Sequence, residues 1–204
     1  VGRSDVYKRQ EKNMTREDKW KQNYIENLDL QNITWLTLEK DDFLKFINQN
    51  YFDEELGEYV IGEDPEIPFG MHYVADIQNQ STKYLLGIVP NSIQKFTIVA
   101  ACMYQENYHF FTDQTMPTTY IVTAETNQYF RRMGLYHQLC DAISQTINPQ
   151  IPVVCSNESE EGKICHTFQT LKETLEKNGF KNLIIAEKEL DQKPKQYQKE
   201  LSKY

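Results

Sequence analysis

Residues 151–156, IPVVCS, make a short run of almost wholly apolar side chains with no charge. A strand of that kind is buried on both faces, which requires helices above and below it. Both helices are legible. Leu135, Leu139, Ile143 and Ile147 recur every fourth residue before the run, and Ile164, Phe168, Leu171 and Leu175 make a second stripe after it. A helix with one apolar stripe lays that stripe on a sheet. The constraint is therefore a layered fold, helices packed on strands, rather than a bundle or a barrel.

The rest of the chain fits that frame. Trp20, Tyr24 and Leu28 stand four apart, with Thr15 as N-cap and Glu17 and Asp18 in the first turn, and so predict a helix. Residues 33–39 alternate as a strand, and Phe43, Ile47 and Tyr51 return to helical spacing over 41–52. Residues 71–77, 83–89, 95–104, 108–112 and 118–125 read as strands between polar or Pro-containing joints. After the helices at 135–147 and 164–178, the latter closed by Asn178 and Gly179, residues 180–190 are expected as a last strand. The whole is an α+β (layered α/β) arrangement around a mixed sheet. With 204 residues, 14–190 are expected to form a single domain. Residues 1–13 are expected as a disordered or non-native tail, and 191–204 as a polar C-terminal tail, frayed helix or loop.

Charge narrows the partners. A formal net charge of -8 argues against a nucleic-acid backbone, which needs a cationic face. The acids concentrate in 51–67, which holds Asp53, Glu54, Glu55, Glu58, Glu63, Asp64 and Glu66 without a Lys or Arg. That segment is either a solvated loop or a rim that attracts a cationic substrate. The longest apolar runs, such as 97–104, are far short of the roughly 20 residues needed to cross a bilayer, so no membrane partner is expected. No secretory order of basic, apolar and small residues opens the chain, which makes the cytoplasm the default location. Cys102, Cys140, Cys155 and Cys165 have no C-x-x-C spacing and read as free thiols rather than disulfide or metal ligands. His72, His109 and His137 stand singly, and no metal-ligand spacing or nucleophilic triad appears.

The densest chemical signal is YFRRMGLYHQLCDAI, residues 129–143, where a strand turns into a helix through two arginines and a glycine. Backbone amides opening a helix lack intrahelical partners and carry the positive end of the dipole. Gly134 lets a ligand approach the backbone, and Arg131 and Arg132 add fork-shaped donors. The pattern suits a phosphate, or else is a structural turn.

This order of elements, together with YFRRMGLYHQL, resembles the GCN5-related N-acetyltransferase superfamily, whose pyrophosphate loop reads Q/R-x-x-G-x-G/A. Arg131 and Gly134 match that loop, and Tyr136 stands where Gly or Ala is usual. Residues 151–180 are similar to the superfamily's following strand, an Asn just after it, a helix and a closing G-F. The resemblance implies a mixed, mostly antiparallel sheet flanked by helices. It implies acetyl-CoA as co-substrate, no metal, and direct acyl transfer to an amine. Arg131, Arg132, Met133, Gly134, Leu135 and Tyr136 would surround the pyrophosphate. Main-chain groups of Ile121, Val122 and Thr123 would line the pantetheine arm, and Asn157 would lie near its far end. A homodimer is compatible with it.

Such a reaction needs a neutral amine, donors for the oxyanion and an acid for the thiolate. The superfamily often carries a tyrosine four residues before the closing Gly, where this chain has Leu175. Tyr136, His166 or water would have to replace it. Glu125, at the end of the strand before the loop, is the candidate base, or else a solvated strand-end carboxylate. The leading expectation is an N-acetyltransferase acting on a small-molecule or peptide amine. The alternatives are an inactive domain of the same fold that binds acyl-CoA or a protein, and an acyltransferase for longer acyl-CoA.

Overall fold

The computed structural model describes residues 14–60, 81–156 and 166–204. The first helix, α1 (Arg16–Tyr24), is nucleated as its sequence predicts. The Asp18 amide donates to Thr15 Oγ1, and the Thr15 amide donates back to the Asp18 carboxylate, each at 3.1 Å. Strand β1 (Thr34–Glu39) follows, then α2 (Lys40–Tyr51) and a small hairpin of β2 (Phe52–Asp53) and β3 (Glu58–Tyr59). The long central strands are β4 (Thr82–Pro90), β5 (Phe96–Tyr108) and β6 (Thr118–Thr126). The chain then alternates: α3 (Leu135–Thr146), β7 (Val153–Cys155), α4 (His166–Lys177), β8 (Ile184–Ala186), α5 (Glu187–Gln192) and α6 (Pro194–Leu201).

The main sheet has the order β1-β4-β5-β6-β7-β8. Its first four strands pair antiparallel, and β6, β7 and β8 pair parallel. This is the mixed, mostly antiparallel α+β architecture expected. On one face, Leu85, Cys102 and Tyr104 pack with Leu139 and Ile143 of α3 and with Phe168, Leu171 and Leu175 of α4. On the other, Tyr84, Leu86 and Met103 pack with Trp20 and Tyr24 of α1 and Phe43 and Ile47 of α2. The Phe43 and Tyr84 rings stack at 4.0 Å.

The strand that constrained the sequence reading is covered on both sides. Val153 and Cys155 face α3 and α4, while Val154 joins Leu190 of α5 and Leu201 of α6. Burying each such aliphatic side chain stabilises the fold by about 1.5–3 kcal/mol.

Two expectations are corrected. Residues 108–112 are not a separate strand: β5 runs through the polar Gln105–Asn107 segment to Tyr108, because β6 continues to pair with it as far as Thr118. The expected strand over 180–190 is only Ile184–Ala186, since the Ala186 amide donates to Glu189 Oε2 at 3.3 Å and starts α5. Of the alternatives for residues 191–204, the helix holds: they finish α5 and form α6, whose Leu201 is 1% exposed. The strand expected at 71–77 and the acidic residues 61–67 lie outside the described residues, as do 1–13. Among the described residues, no helix is long and apolar enough to cross a membrane.

Candidate active site

Strand β6 changes partners halfway along its length. Its ladder with β7 runs from Thr119 opposite Val153 to Ile121 opposite Cys155, and its last bond is the Ser156 amide donating to the Ile121 carbonyl at 2.8 Å. Strand β6 itself continues to Thr126, held by β5. At the same point its register with β5 slips: Tyr104 faces Ile121, and Met103 faces Thr123. Val122 is therefore the extra residue of a β-bulge, a device that re-aims neighbouring side chains. The shift is visible in the packing. Ile121 and Ala124 join the α3/α4 core, three residues apart instead of two, and Val122 packs on the α1/α2 side.

Where β6 and β7 part, a cavity of about 40 Å³ opens between the strands and helices α3 and α4. Ile121, Ala124, Tyr136, Cys155, Ser156 and Thr167 are among the residues that line it. Two residues of the sequence-predicted set, Ile121 and Tyr136, thus meet at one place.

Past β6 the chain is pinned before it reaches the arginines. The buried Asn127 donates its amide to the Val99 carbonyl at 2.8 Å, and its Oδ1 accepts from the Tyr129 amide at 3.1 Å. Phe130 is buried against Val89, Val99 and Leu135. The next four residues, Arg131 to Gly134, are all exposed. Arg132 has φ 65° and Gly134 φ 77°. Gly134 is the N-cap of α3 and offers no side chain to cap it, and the first turn carries no acid. The opening amides of α3 are left to solvent or to a ligand. Among the described residues neither arginine has an ion pair. Exposed amides, left-handed backbone and two uncommitted guanidinium groups at the end of a strand suit an anion.

The proposed catalytic side chains are placed unequally. Tyr136 is half-buried, and its hydroxyl donates to the Thr167 carbonyl at 2.9 Å, bridging α3 and α4. Burial pushes this hydroxyl well above the usual tyrosine range, and the nearby Cys140 adds to the shift, so it is a neutral donor. Glu125 is half-buried near the end of β6, opposite Ala101. His166 is the first residue of α4. Asn157 lies outside the described residues, as do His72 and Cys165; His109 and His137 are exposed.

Cys102, Cys140 and Cys155 are buried free thiols, as read from their apolar surroundings. Burial raises all three, Cys140 and Cys155 to about 12. They pack as small hydrophobes. Among the described residues no group of three or more His, Cys, Asp or Glu could hold a metal.

The described part of the acidic segment lies elsewhere. Asp53, Glu54 and Glu55 line a depression of about 920 Å³ with Tyr24 of α1, Gln49 of α2 and Lys95. None of its lining residues belongs to β6, β7 or α3.

Sequence reasoning missed one contact on the other face of β6. Tyr120 of β6 donates its hydroxyl to Glu187 Oε2 at 2.7 Å, across 67 positions of sequence. Ser156, beside the last β6–β7 bond, is among the residues that line the cavity, and Tyr120 is not. No local pattern signals a contact made by parallel register.

No protein-family model matches the chain, and no curated protein does. Solved structures do. An aminoglycoside acetyltransferase, meta-AAC0020, from an uncultured soil metagenomic sample in complex with trehalose is 16% identical with a TM-score of 0.42, covering 71% of this chain and 88% of that one. The same protein in complex with sisomicin gives 15% identity and a TM-score of 0.40, covering 70% and 86%. AtaTR bound with AcCoA gives 11% and 0.38, covering 72% and 84%. These are distant likenesses.

Proposed function

We propose that the chain is an N-acetyltransferase that moves the acetyl group of acetyl-CoA directly to a primary amine of a cationic small-molecule or peptide acceptor. The observation that carries this reading is the parting of β6 from β7 at a bulge, with β6 then leading into the uncapped, arginine-flanked start of α3. A strand edge freed from one neighbour offers main-chain donors and acceptors to an extended, amide-bearing arm, as in strand addition. From Ile121 to Thr126 the strand rises roughly 17 Å at about 3.3 Å per residue. Pantetheine is an extended amide-bearing arm that ends in a pyrophosphate, the anion suited to α3.

In this reading the amides opening α3, with Arg131, Arg132 and Gly134, hold the pyrophosphate. Main-chain groups of Ile121, Val122 and Thr123 hold the arm, and Asn157 lies near its far end. The amine attacks the thioester carbonyl; the C–N bond forms, the C–S bond breaks, and the electron pair leaves on sulfur. Tyr136, a neutral donor that lines the cavity, is the candidate acid for the thiolate, with His166 as the other candidate. Glu125 is the strand-end candidate for the base. The cavity of about 40 Å³ has room for only a few water-sized groups, which favours acetyl over a long acyl chain. Holding both reactants together would supply much of the rate. The acidic segment favours a cationic acceptor by long-range attraction.

A second reading, acyl-CoA binding without turnover, draws on one observation. Leu175, where a tyrosine acid is usual in the superfamily, is 0% exposed in the core and offers no donor. Thiol release from acetyl-CoA with spermidine, an aminoglycoside and a lysine peptide separates the two. Release with any amine supports transfer. A thermal shift with acetyl-CoA but no release with any amine favours binding alone, and neither result rejects both.

A further inference from the structure

We propose that Leu171 of α4 sets the length of the transferred acyl group: its side chain floors the β6–β7 cavity and excludes donors longer than acetyl. The inference rests on the acetyltransferase reading above and names the side chain behind its donor preference.

The cavity is a hole in one apolar cluster. Ile121 and Ala124 of β6, Tyr136 of α3, and Phe168 and Leu171 of α4 all line it, and all belong to the core between the sheet and these two helices. A gradient of exposure gives the cavity its direction. Thr167 is exposed, Tyr136 and Ala124 are half-buried, and Ile121, Phe168 and Leu171 are only 2%, 5% and 3% exposed. The mouth therefore lies at the first turn of α4, and the closed end lies against Leu171, about 6 Å further along the helix.

A helical side chain leans toward the N-terminus of its helix. Leu171 consequently points back toward the mouth, across the end of the cavity. Leu175, the next residue of the stripe, is buried in the same core and does not line it. At the mouth the Tyr136 hydroxyl donates to the Thr167 carbonyl at 2.9 Å and ties α4 to α3. The volume fits the smallest donor. About 40 Å³ holds roughly three water-sized groups at about 10–15 Å³ each, which matches the carbonyl carbon, oxygen and methyl of acetyl. A further methylene meets Leu171, and one methylene in a hydrophobic pocket changes kcat/KM by about 10–200-fold.

Every donor undergoes the same exchange of bonds. The C–N bond forms, the C–S bond breaks with its electron pair left on the CoA sulfur, and the amine gives up its proton to the base. Only the acyl tail differs, so the ratio of kcat/KM between donors reports the pocket and cancels any rate loss common to all.

The test uses the full chain with acetyl-, propionyl- and butyryl-CoA and whichever of spermidine, an aminoglycoside or a lysine peptide is acetylated. The parent is expected to favour acetyl-CoA over propionyl-CoA at least tenfold. Leu171→Ala removes the side chain beyond Cβ, and because the surroundings relax only partially, part of that space stays open. It is expected to raise the butyryl-to-acetyl ratio at least tenfold. Leu171→Val, the milder change should alanine fold poorly, is expected to raise the propionyl-to-acetyl ratio severalfold. Leu175→Ala removes the same group from the same core and is expected to keep both ratios at the parental value, which separates the floor from general loosening. Parental ratios in a folded Leu171 variant, an equal rise in Leu175→Ala, or a parent that uses butyryl-CoA as well as acetyl-CoA overturns the role of Leu171 and leaves acyl transfer standing. A parent that acylates no amine with any donor overturns both.

Discussion

The proposed anion site at the start of α3 predicts opposite outcomes for two substitutions of one glycine. Gly134 has φ 77°, and a Cβ built there meets no atom within 4 Å. Gly134→Ala therefore costs only the left-handed strain, about 1–2 kcal/mol. Gly134→Glu costs the same strain, but its carboxylate at the positive end of α3 gives back about 0.3–1 kcal/mol. Both variants are expected to fold, each melting a few degrees lower, on a scale of about 2–4 °C per kcal/mol for a domain this size.

The ligand response separates them. Acetyl-CoA at about 100 times its Kd adds about 2.7 kcal/mol, roughly 5–11 °C on the same scale. The alanine variant is expected to keep that shift. The glutamate variant is expected to lose it, because its carboxylate would face the pyrophosphate across the opening amides. Differential scanning fluorimetry reads both numbers in one experiment. A full shift in Gly134→Glu would refute the placement of the pyrophosphate at this helix.

Two further predictions concern stability. A Cβ at Gly87 would stand 2.8 Å from the Trp35 ring, so Gly87→Ala is expected to cost about 1–3 kcal/mol in denaturant unfolding, with a change in tryptophan fluorescence. Cys140 and Cys155 titrate at about 12 in the fold against an ordinary 9.0, so the fold favours their protonated forms. Their contribution is complete below about pH 9 and is lost as pH rises toward 12, at about 1.4 kcal/mol per pH unit for each thiol. Urea midpoints at pH 8 and pH 10.5 test the sign; Cys140→Ser with an unchanged difference would reject it for that thiol.

Much of the fold was legible because its signals are local. The Thr15 capping box, the stripe from Leu135 to Ile143 and the doubly buried run at Val153–Cys155 each need only neighbouring residues, and each formed as read. The misread segments share a different cause. The polar residues Gln105 and Glu106 look like a loop, yet they are half-buried in β5 because a strand across the ladder holds them. The Lys- and Gln-rich C-terminus leaves frayed helix and loop both open, and the choice falls to α6 because Leu201 is buried against the outer face of β7 and β8. Propensity yields there to a partner that the local sequence does not name.

The candidate site divides in the same way. The residue types at the start of α3, two arginines and a glycine between strand and helix, were determined by the sequence alone, because helix-end amides and left-handed backbone are properties of a few adjacent residues. The bulge at Val122, the parting of β6 from β7, the bond from Tyr136 to Thr167 and the pairing of Tyr120 with Glu187 were decided only by tertiary structure. Each depends on strand register or helix docking across tens of residues. Register is a collective property of the whole sheet, set when both faces are buried at once.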